Sequence, residues 1–145
     1  AGGPVVGICN GFQVLTEAGL LPGALQKNAG LKFVCAPAQL RVETTNSVLT
    51  RAADKGAVLS IPINHFEGNY TCDSETLAQL RDEDRIVLRY VVNPNGSVDD
   101  IAGVCNEGRN VVGLMPHPEH AINELTGPSA QGLGFFTSIL NAMVK

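Results

Sequence analysis

One cysteine of this sequence, Cys9, stands between two glycines in the segment GICNG, residues 7–11. The segment follows an apolar, β-branched run (residues 4–8) and precedes residues 10–18, whose apolar positions recur at helical spacing. The same spacing around a serine forms a nucleophile elbow, a strand-to-helix turn that presents a side chain above a sheet. Helix N-terminal N–H groups at such a turn favour a thiolate over a thiol. We therefore predict that Cys9 is a nucleophile.

The residues on either side of Cys9 support this prediction in two ways. The N–H of Asn10, the residue after the nucleophile, can donate to a developing oxyanion. Gly7 and Gly11 are expected because a Cβ at either position would clash with the tight turn and neighbouring backbone. The alternative interpretation is a glycine-lined cysteine that only packs in the core.

A second candidate segment is GLMPHPEH, residues 113–120, at the end of a predicted strand. Prolines precede and follow His117, and Glu119 lies two residues further on. The prolines fix the backbone and remove donors, which suits a side chain that must point one way. Cys9, His117 and Glu119 could then act as nucleophile, base and orienting acid. The alternative is a histidine that caps the strand end, beside a solvated glutamate.

Composition excludes several other classes of protein. The chain has 145 residues, of which 44% are hydrophobic and 17% charged, as expected for one globular domain. A net charge of −4 with scattered basic residues argues against nucleic-acid binding. No apolar stretch is long enough to span a membrane.

The four cysteines are far apart and form no CxxC pair, so we expect neither structural zinc nor a disulfide framework. This usage indicates a reducing, cytoplasmic setting. Cys35 and Cys105 lie in apolar runs and are predicted to be buried core thiols. Cys72 is expected to pack near a helix start.

The order of apolar runs and turn signals predicts a single α/β domain with a largely parallel sheet, flanking helices and an added antiparallel portion. Strands are predicted at residues 4–8, 58–64, 85–92, 97–107 and 110–115, with a further strand in residues 31–44 interrupted near Pro37. Helices are predicted at residues 10–18, 73–81 and 129–144, with Gly19 ending the first and Asp73 or Ser74 capping the second. In the third, Leu133, Phe136, Leu140 and Met143 share one apolar face.

The segments GICNGFQVL and MPHPE resemble the two signature segments of class I (triad) glutamine amidotransferase domains, and the similarity covers essentially the whole chain. The resemblance implies a flavodoxin-like three-layer fold for residues 1–145. It implies that Cys9 attacks the side-chain amide of glutamine and forms a thioester. It further implies that His117 protonates departing ammonia and then activates water, while Glu119 orients the imidazole.

The resemblance also implies roles around the glutamine substrate. Gln13, one helical turn after Cys9, matches a position that contacts glutamine, and Asn64 matches a position beside the substrate's α-amino and α-carboxylate groups. His65 is expected to support its loop, and His120 to lie at the surface. Phe66 stands where the family usually has glycine, which alters the shape of the glutamine pocket.

Residues near the two signatures, Asn10, Phe12 and the Met115-Pro116 pair, are most similar to glutaminase components that serve the formylglycinamide ribonucleotide step of purine biosynthesis. The resemblance implies an ATP-dependent synthetase partner that receives the ammonia. ATP and Mg²⁺ are expected on that partner, since this chain has no GxxxxGK[ST] phosphate loop. No cofactor or metal is expected in the chain itself. The alternatives are a glutaminase for GMP, CTP, anthranilate or carbamoyl phosphate synthesis, a cysteine hydrolase or sensor of the same fold, and a non-catalytic regulatory subunit.

The beginning of the chain differs from the family pattern. The sequence opens with AGGPVVGIC and no methionine, immediately before the first predicted strand. Family members carry preceding strands and a glycine-containing loop that supplies a second oxyanion donor. We therefore expect that the N-terminal segment is missing. This polypeptide alone should be poorly folded or weakly active, since one such donor is worth on the order of a hundredfold in rate.

Overall fold

The computed structural model describes residues 2–144, which form two sheets and three α-helices. The strands are β1 (Val5–Ile8), β2 (Ala24–Gln26), β3 (Val34–Val42), β4 (Val58–His65), β5 (Asn69–Thr71), β6 (Ile86–Tyr90), β7 (Ile101–Cys105) and β8 (Val111–Leu114). The helices are α1 (Asn10–Glu17), α2 (Ser74–Asp82) and α3 (Leu133–Met143), with short 3₁₀ helices at Val98–Asp100 and Pro118–His120. Within the same residues, every helix is too short or too polar to cross a membrane.

The main sheet has six strands in the order β1-β8-β7-β6-β3-β4, and β2 and β5 form a separate antiparallel pair. The predicted α/β architecture with an antiparallel portion is confirmed. That portion is larger than a largely parallel sheet implies, because within residues 2–144 only the β1–β8 pairing of the main sheet is parallel. Strands β6, β7 and β8 follow one another without an intervening α-helix, and parallel neighbours would need such a crossover.

The first two helices form where the sequence predicts them. Helix α1 ends at Glu17, and Gly19 follows its C-cap with φ +74°, a conformation that glycine adopts at low cost. Helix α2 is capped by Asp73, whose Oδ1 accepts a hydrogen bond of 2.7 Å from the N–H of Thr76. Both helix ends were predictable because their capping signals are local in sequence.

Strand β3 continues through Pro37, so the predicted interruption there is wrong. Pro37 lies opposite Pro62 of β4 in the antiparallel register. The carbonyl of Pro62 points away from β3 and accepts a hydrogen bond from the N–H of His117. The two prolines therefore form a pair that needs no N–H donors between the strands. On the other side of β3, strand β6 pairs only from Leu40 onward, so no donor is required at Pro37 there either.

Two predictions of burial fail. Helix α3 buries Phe135 and Ser138, whereas Leu133, Leu140 and Met143 of the predicted apolar face are each more than half exposed. The hydroxyl of Ser138 accepts a hydrogen bond from the N–H of Ala52, which holds that face of the helix inward. The face that carries Leu133, Leu140 and Met143 therefore points outward, within the part of the chain that the structure describes.

The second failure concerns Cys35, which is exposed rather than in the core. Its half of β3 extends beyond the end of β6 and has only β4 beside it. Cys105, on the central strand β7, is fully buried as predicted. Cys72 lies just before α2 and packs partly against a buried apolar cluster that includes Phe12 and Tyr70, also as expected.

Candidate active site

Cys9 occupies a strained turn between β1 and α1. Its backbone angles are φ 53° and ψ −108°, in a region that residues other than glycine rarely adopt. A hydrogen bond of 2.8 Å from the N–H of Cys9 to the carbonyl of Leu114 attaches the turn to β8. The turn thus has the backbone features of a nucleophile elbow.

The two glycines beside Cys9 are not equivalent. A Cβ on Gly7 would lie 2.6 Å from the backbone of Gly11 and from Cδ1 of Leu15, so close packing of the turn requires glycine there. A Cβ on Gly11 would meet no atom within 4 Å. The prediction of a clash is therefore right for Gly7 and wrong for Gly11.

The parallel pairing of β1 with β8 brings the two sequence motifs together. Ile8 and Leu114 are register partners at the carboxyl ends of these strands, so Cys9 and the loop containing His117 leave the sheet at the same edge. The N–H of His117 donates to the carbonyl of Pro62 at 2.8 Å, which fixes the loop against β4. Nδ1 of His117 is hydrogen-bonded to Oε1 of Glu119, as the triad prediction requires.

Cys9 and Glu119 make the His117 imidazole a strong base. Its pKa is raised to about 9, most strongly by the Cys9 side chain and then by Glu119, against the opposing effect of burial. Yet Nε2 of His117 has no aligned hydrogen-bond partner among the described residues, and Sγ of Cys9 instead faces the carbonyl of Asn64 at 3.6 Å. The thiol is therefore close to the imidazole but not aligned with it, as is common in catalytic sites without substrate.

A second histidine lies against the triad. The rings of His117 and His120 stack with centroids 4.9 Å apart and planes 9° from parallel. His120 is at the surface, as predicted, and its Nε2 lies 3.9 Å from Oε1 of Glu119. The three side chains offer ligand atoms within 4.8 Å of one another. His120 thus lies beside the His117–Glu119 pair at the surface of the site.

A cavity of about 520 Å³ opens beside the triad. Its lining includes Cys9, Asn10, His117 and Asn64, so four predicted site residues meet there. Asn10 is the first residue of α1, where backbone N–H groups have no intrahelical acceptor. The lining is completed by Ile8, Phe33, His65, Phe66 and Glu67.

The structure does not bring Gln13 into this cavity. The side-chain amide of Gln13 donates to Oε1 of Glu17 at 3.1 Å along the exposed surface of α1. Gln13 instead lines a separate, smaller depression beside β2. One helical turn of separation from Cys9 therefore placed Gln13 on a nearby surface but not against the thiol.

Sequence reasoning missed the residues that hold the part of the cavity wall around His65. Asn28 and Asn95 are both buried, and both hydrogen-bond to the ring of His65, which lines the cavity. The sequences around them, KNAG and NPNG, indicate only turns, in which asparagine is common because its side chain can hydrogen-bond to neighbouring backbone. Nothing local in the sequence indicated that these two turns meet the same histidine.

The fold and this site define an α/β domain with a cysteine at a nucleophile elbow and a His–Glu pair beside it. The chain belongs to the family of CobB/CobQ-like glutamine amidotransferase domains, whose profile matches residues 1–133. The predicted membership of the glutamine amidotransferases is therefore confirmed.

Individual relatives carry a more specific name. The chain is 55% identical over 153 aligned residues to the phosphoribosylformylglycinamidine synthase subunit PurQ of Koribacter versatilis, covering 99% of this chain and 66% of the relative. It is 60% identical to PurQ of Rubrobacter xylanophilus, covering 96% of this chain and 63% of the relative. The structure of PurLQS from Thermotoga maritima matches with a TM-score of 0.86 and 46% identity, covering 97% of this chain and 62% of that one. The chain thus spans about two thirds of the length of the curated relatives it matches.

Proposed function

We propose that this chain is the glutaminase part of a phosphoribosylformylglycinamidine synthase. In this role it hydrolyses glutamine and delivers ammonia to a synthetase that converts formylglycinamide ribonucleotide to formylglycinamidine ribonucleotide. The observation that carries the proposal is the strained Cys9 turn beside the His117–Glu119 pair, at the mouth of a cavity of about 520 Å³. Relatives named PurQ, at 55% and 60% identity, support the choice of pathway.

In the first half of the reaction, the thiolate of Cys9 attacks the side-chain amide carbon of glutamine. The N–H of Asn10 donates to the resulting oxyanion. His117 is an imidazolium at neutral pH because its pKa is about 9, so it can give its proton to the departing nitrogen. The C–N bond then breaks, ammonia leaves, and a γ-glutamyl thioester remains on Cys9.

In the second half, the neutral His117 takes a proton from water as that water attacks the thioester carbon. The C–S bond breaks, glutamate leaves, and the thiolate–imidazolium pair returns. Glu119 holds Nδ1–H of the imidazole throughout, so that Nε2 remains directed toward the reacting atoms. Asn64 lines the same cavity, where it can meet the amino-acid end of glutamine.

The synthetase partner, ATP and Mg²⁺ belong to the same proposal. The sequence contains no phosphate loop, so the ATP-dependent step is assigned to the partner and this chain is proposed to need no cofactor. Cytoplasm is the proposed location, because all four cysteines are free thiols, which suits a reducing compartment.

The first test is labelling of the purified protein with an electrophilic glutamine analogue, followed by peptide mass spectrometry. We expect an adduct at Cys9 that excess glutamine suppresses. Exposed Cys35 provides an internal control, since a non-selective reagent would reach it at least as easily. Adducts spread over several thiols, or an adduct at Cys9 that glutamine does not suppress, would contradict the glutaminase assignment.

The second test concerns the pathway. The protein is mixed with glutamine, ATP, Mg²⁺ and the synthetase subunit of a formylglycinamidine ribonucleotide-forming enzyme. Glutamine-dependent product formation is expected only with that synthetase. Product formation with a GMP, CTP, anthranilate or carbamoyl phosphate synthetase instead would keep the glutaminase chemistry and move it to another pathway.

A further inference from the structure

One wall of the cavity lies where the chain turns from β4 toward β5, at residues 64–68, which are the last two residues of β4 and the connection to β5. Asn64, Phe66 and Glu67 of this turn are exposed and line the cavity. His65 is buried, with 4% of its surface exposed, and its ring lies beneath the turn. A Cβ on Gly68 would lie 2.3 to 2.6 Å from the atoms of that ring, so the chain folds back tightly over the imidazole.

Asn28 holds this turn at three successive points. Its backbone N–H donates to the carbonyl of Phe66 at 2.8 Å, and its Nδ2 donates to the carbonyl of His65 at 2.9 Å. Its Oδ1 accepts from the N–H of Gly68 at 3.0 Å. Asn28 is 1% exposed, so these bonds form away from water, where leaving a polar group without a partner is costly.

Asn95 holds the other end of the turn. Its Nδ2 donates to the carbonyl of Gly68 at 2.8 Å, and its Oδ1 accepts from the hydroxyl of Ser97 at 2.7 Å. The hydroxyl of Ser97 also lies 3.1 Å from the Gly68 carbonyl. These backbone and hydroxyl partners fix which end of each asparagine amide is nitrogen and which is oxygen.

The two amides in turn determine the tautomer of His65. Nδ1 of the ring lies 3.1 Å from the acceptor Oδ1 of Asn28, so Nδ1 carries the proton. Nε2 lies 3.4 Å from the donor Nδ2 of Asn95, so Nε2 is an acceptor. A second proton on Nε2 would face another N–H group, and burial independently lowers the pKa of His65. The ring is therefore neutral, with its hydrogen on Nδ1.

We propose that His65 is a positioning residue for the glutamine pocket. Asn28 and Asn95 hold it as the neutral Nδ1–H tautomer, and in this form it sets the wall of residues 64–68 in the position relative to Cys9 that glutamine requires. The first residue of this wall contacts the nucleophile directly, since the Asn64 carbonyl faces Sγ of Cys9 at 3.6 Å. His65 acts through this wall and not on the reacting atoms. The inference rests on the proposed function, because it assumes that glutamine is the occupant.

The test compares two reagents on wild-type protein and on His65→Phe, which keeps a ring but removes both polar atoms. The electrophilic glutamine analogue needs the shaped pocket, whereas iodoacetamide needs only an accessible Cys9 thiolate. For His65→Phe we expect the rate of Cys9 labelling by the analogue to fall at least about tenfold, and the rate with iodoacetamide to stay within about twofold. His65→Gln, which can again donate and accept, should recover part of the loss.

Ser47→Ala is the matched control. The Ser47 side chain is also buried and loses a hydrogen bond of 2.7 Å to Thr50, but it does not line the cavity. Both labelling rates should stay at the wild-type level in this variant. A parallel fall of both rates in His65→Phe, or no change in either, would overturn the positioning role.

If His65→Phe does not fold, the tautomer of His65 can be measured directly in the wild-type protein. Nitrogen NMR of ¹⁵N-histidine-labelled protein should show His65 as the neutral Nδ1–H tautomer at pH 6 and pH 8. An Nε2–H tautomer, or a protonated ring at pH 6, would overturn it. Failure of glutamine to suppress labelling of wild-type Cys9 would instead contradict the proposed function, so the two failures are distinguishable.

Discussion

The two sides of the cavity are built in different ways. The catalytic side consists of Cys9 and the His117–Glu119 pair, which lie in two short sequence motifs at the ends of adjacent parallel strands. The wall formed by residues 64–68 is held by Asn28 and Asn95, which lie 37 and 27 residues away in sequence from the groups they bind. The proposed catalytic groups are thus specified by local motifs, whereas the shape of the pocket depends on buried hydrogen bonds between distant segments.

Substitutions in the two parts of the cavity should change different kinetic constants. Removing a group on the catalytic side eliminates an interaction made in the transition state, so kcat should fall. Changing the wall alters how well glutamine fits, so KM should rise while the chemistry of Cys9 persists.

Cys9→Ser should have the largest effect. Glutaminase activity is expected to fall by at least about 10³-fold, because a serine in this position lacks the thiolate that attacks the amide. The rate of ammonia release from glutamine measures this loss. Cys35→Ser, at an exposed thiol, should retain activity within about twofold. Substantial turnover by Cys9→Ser would remove the nucleophile from the proposed mechanism.

Glu119→Gln should lower kcat by about a hundredfold or more, because the amide no longer orients or stabilises the His117 imidazolium. Since Glu119 raises the pKa of His117, its loss should shift the high-pH limit of activity from near pH 9 to lower pH. The pH profile of kcat/KM in both proteins checks the direction. An unchanged or upward-shifted limit would contradict the assignment of Glu119.

The raised pKa of His117 also links folding to pH. With a folded value of about 9 and an ordinary value near 6.5, the imidazolium contributes stability that is fully present below pH 6.5 and lost as pH rises through 9. Chemical denaturation at pH 6 and pH 9.5 should show this loss in wild type. Glu119→Gln should show a smaller pH-dependent difference, and an equal or larger one would contradict the coupling.

Gly7→Ala and Gly11→Ala should change stability in opposite directions. The Cβ at position 7 collides with backbone, so we expect a loss of about 1–3 kcal/mol in the free energy of unfolding. At position 11, inside α1, the Cβ has free space and alanine favours the helix, so a gain of up to about 1 kcal/mol is expected. Urea denaturation of the pair measures both values, and equal losses would show that the elbow needs glycine on both sides.

Phe66→Gly should have the smallest effect and should act on KM alone. The ring is partly exposed, lines the cavity and lies 6.0 Å from the Lys27 ammonium, so its removal widens the mouth without touching the triad. A roughly threefold rise in KM for glutamine with kcat unchanged is expected, as for a contact made equally in the bound and transition states. A fall in kcat would contradict the separation between wall and catalytic side.

Several features were predictable because their signals are local. The elbow at Cys9, the Asp73 cap of α2 and the Gly19 end of α1 each depend on a few neighbouring residues. The prediction that Cys9 and His117 lie close together also needed only the strand pattern, since the carboxyl ends of two paired parallel strands lie at the same edge of a sheet.

Other features required information that short segments do not hold. The strand through Pro37 depends on Pro62 lying opposite it, and the outward face of α3 depends on Ser138 meeting Ala52. The exposure of Cys35 depends on where β6 stops pairing with β3. In each case the deciding partner lies in a distant part of the chain.

By itself, the sequence determined the groups to which the chemistry is proposed to belong: a cysteine at a strand-to-helix turn, a proline-framed histidine and a glutamate two residues later. These groups depend on backbone geometry over a few residues, which local sequence encodes. Only the tertiary structure decided the shape of the pocket, the surroundings of His65 and the position of Gln13 away from the thiol. Buried hydrogen bonds join segments that are distant in sequence, so their partners are established only when the whole domain packs.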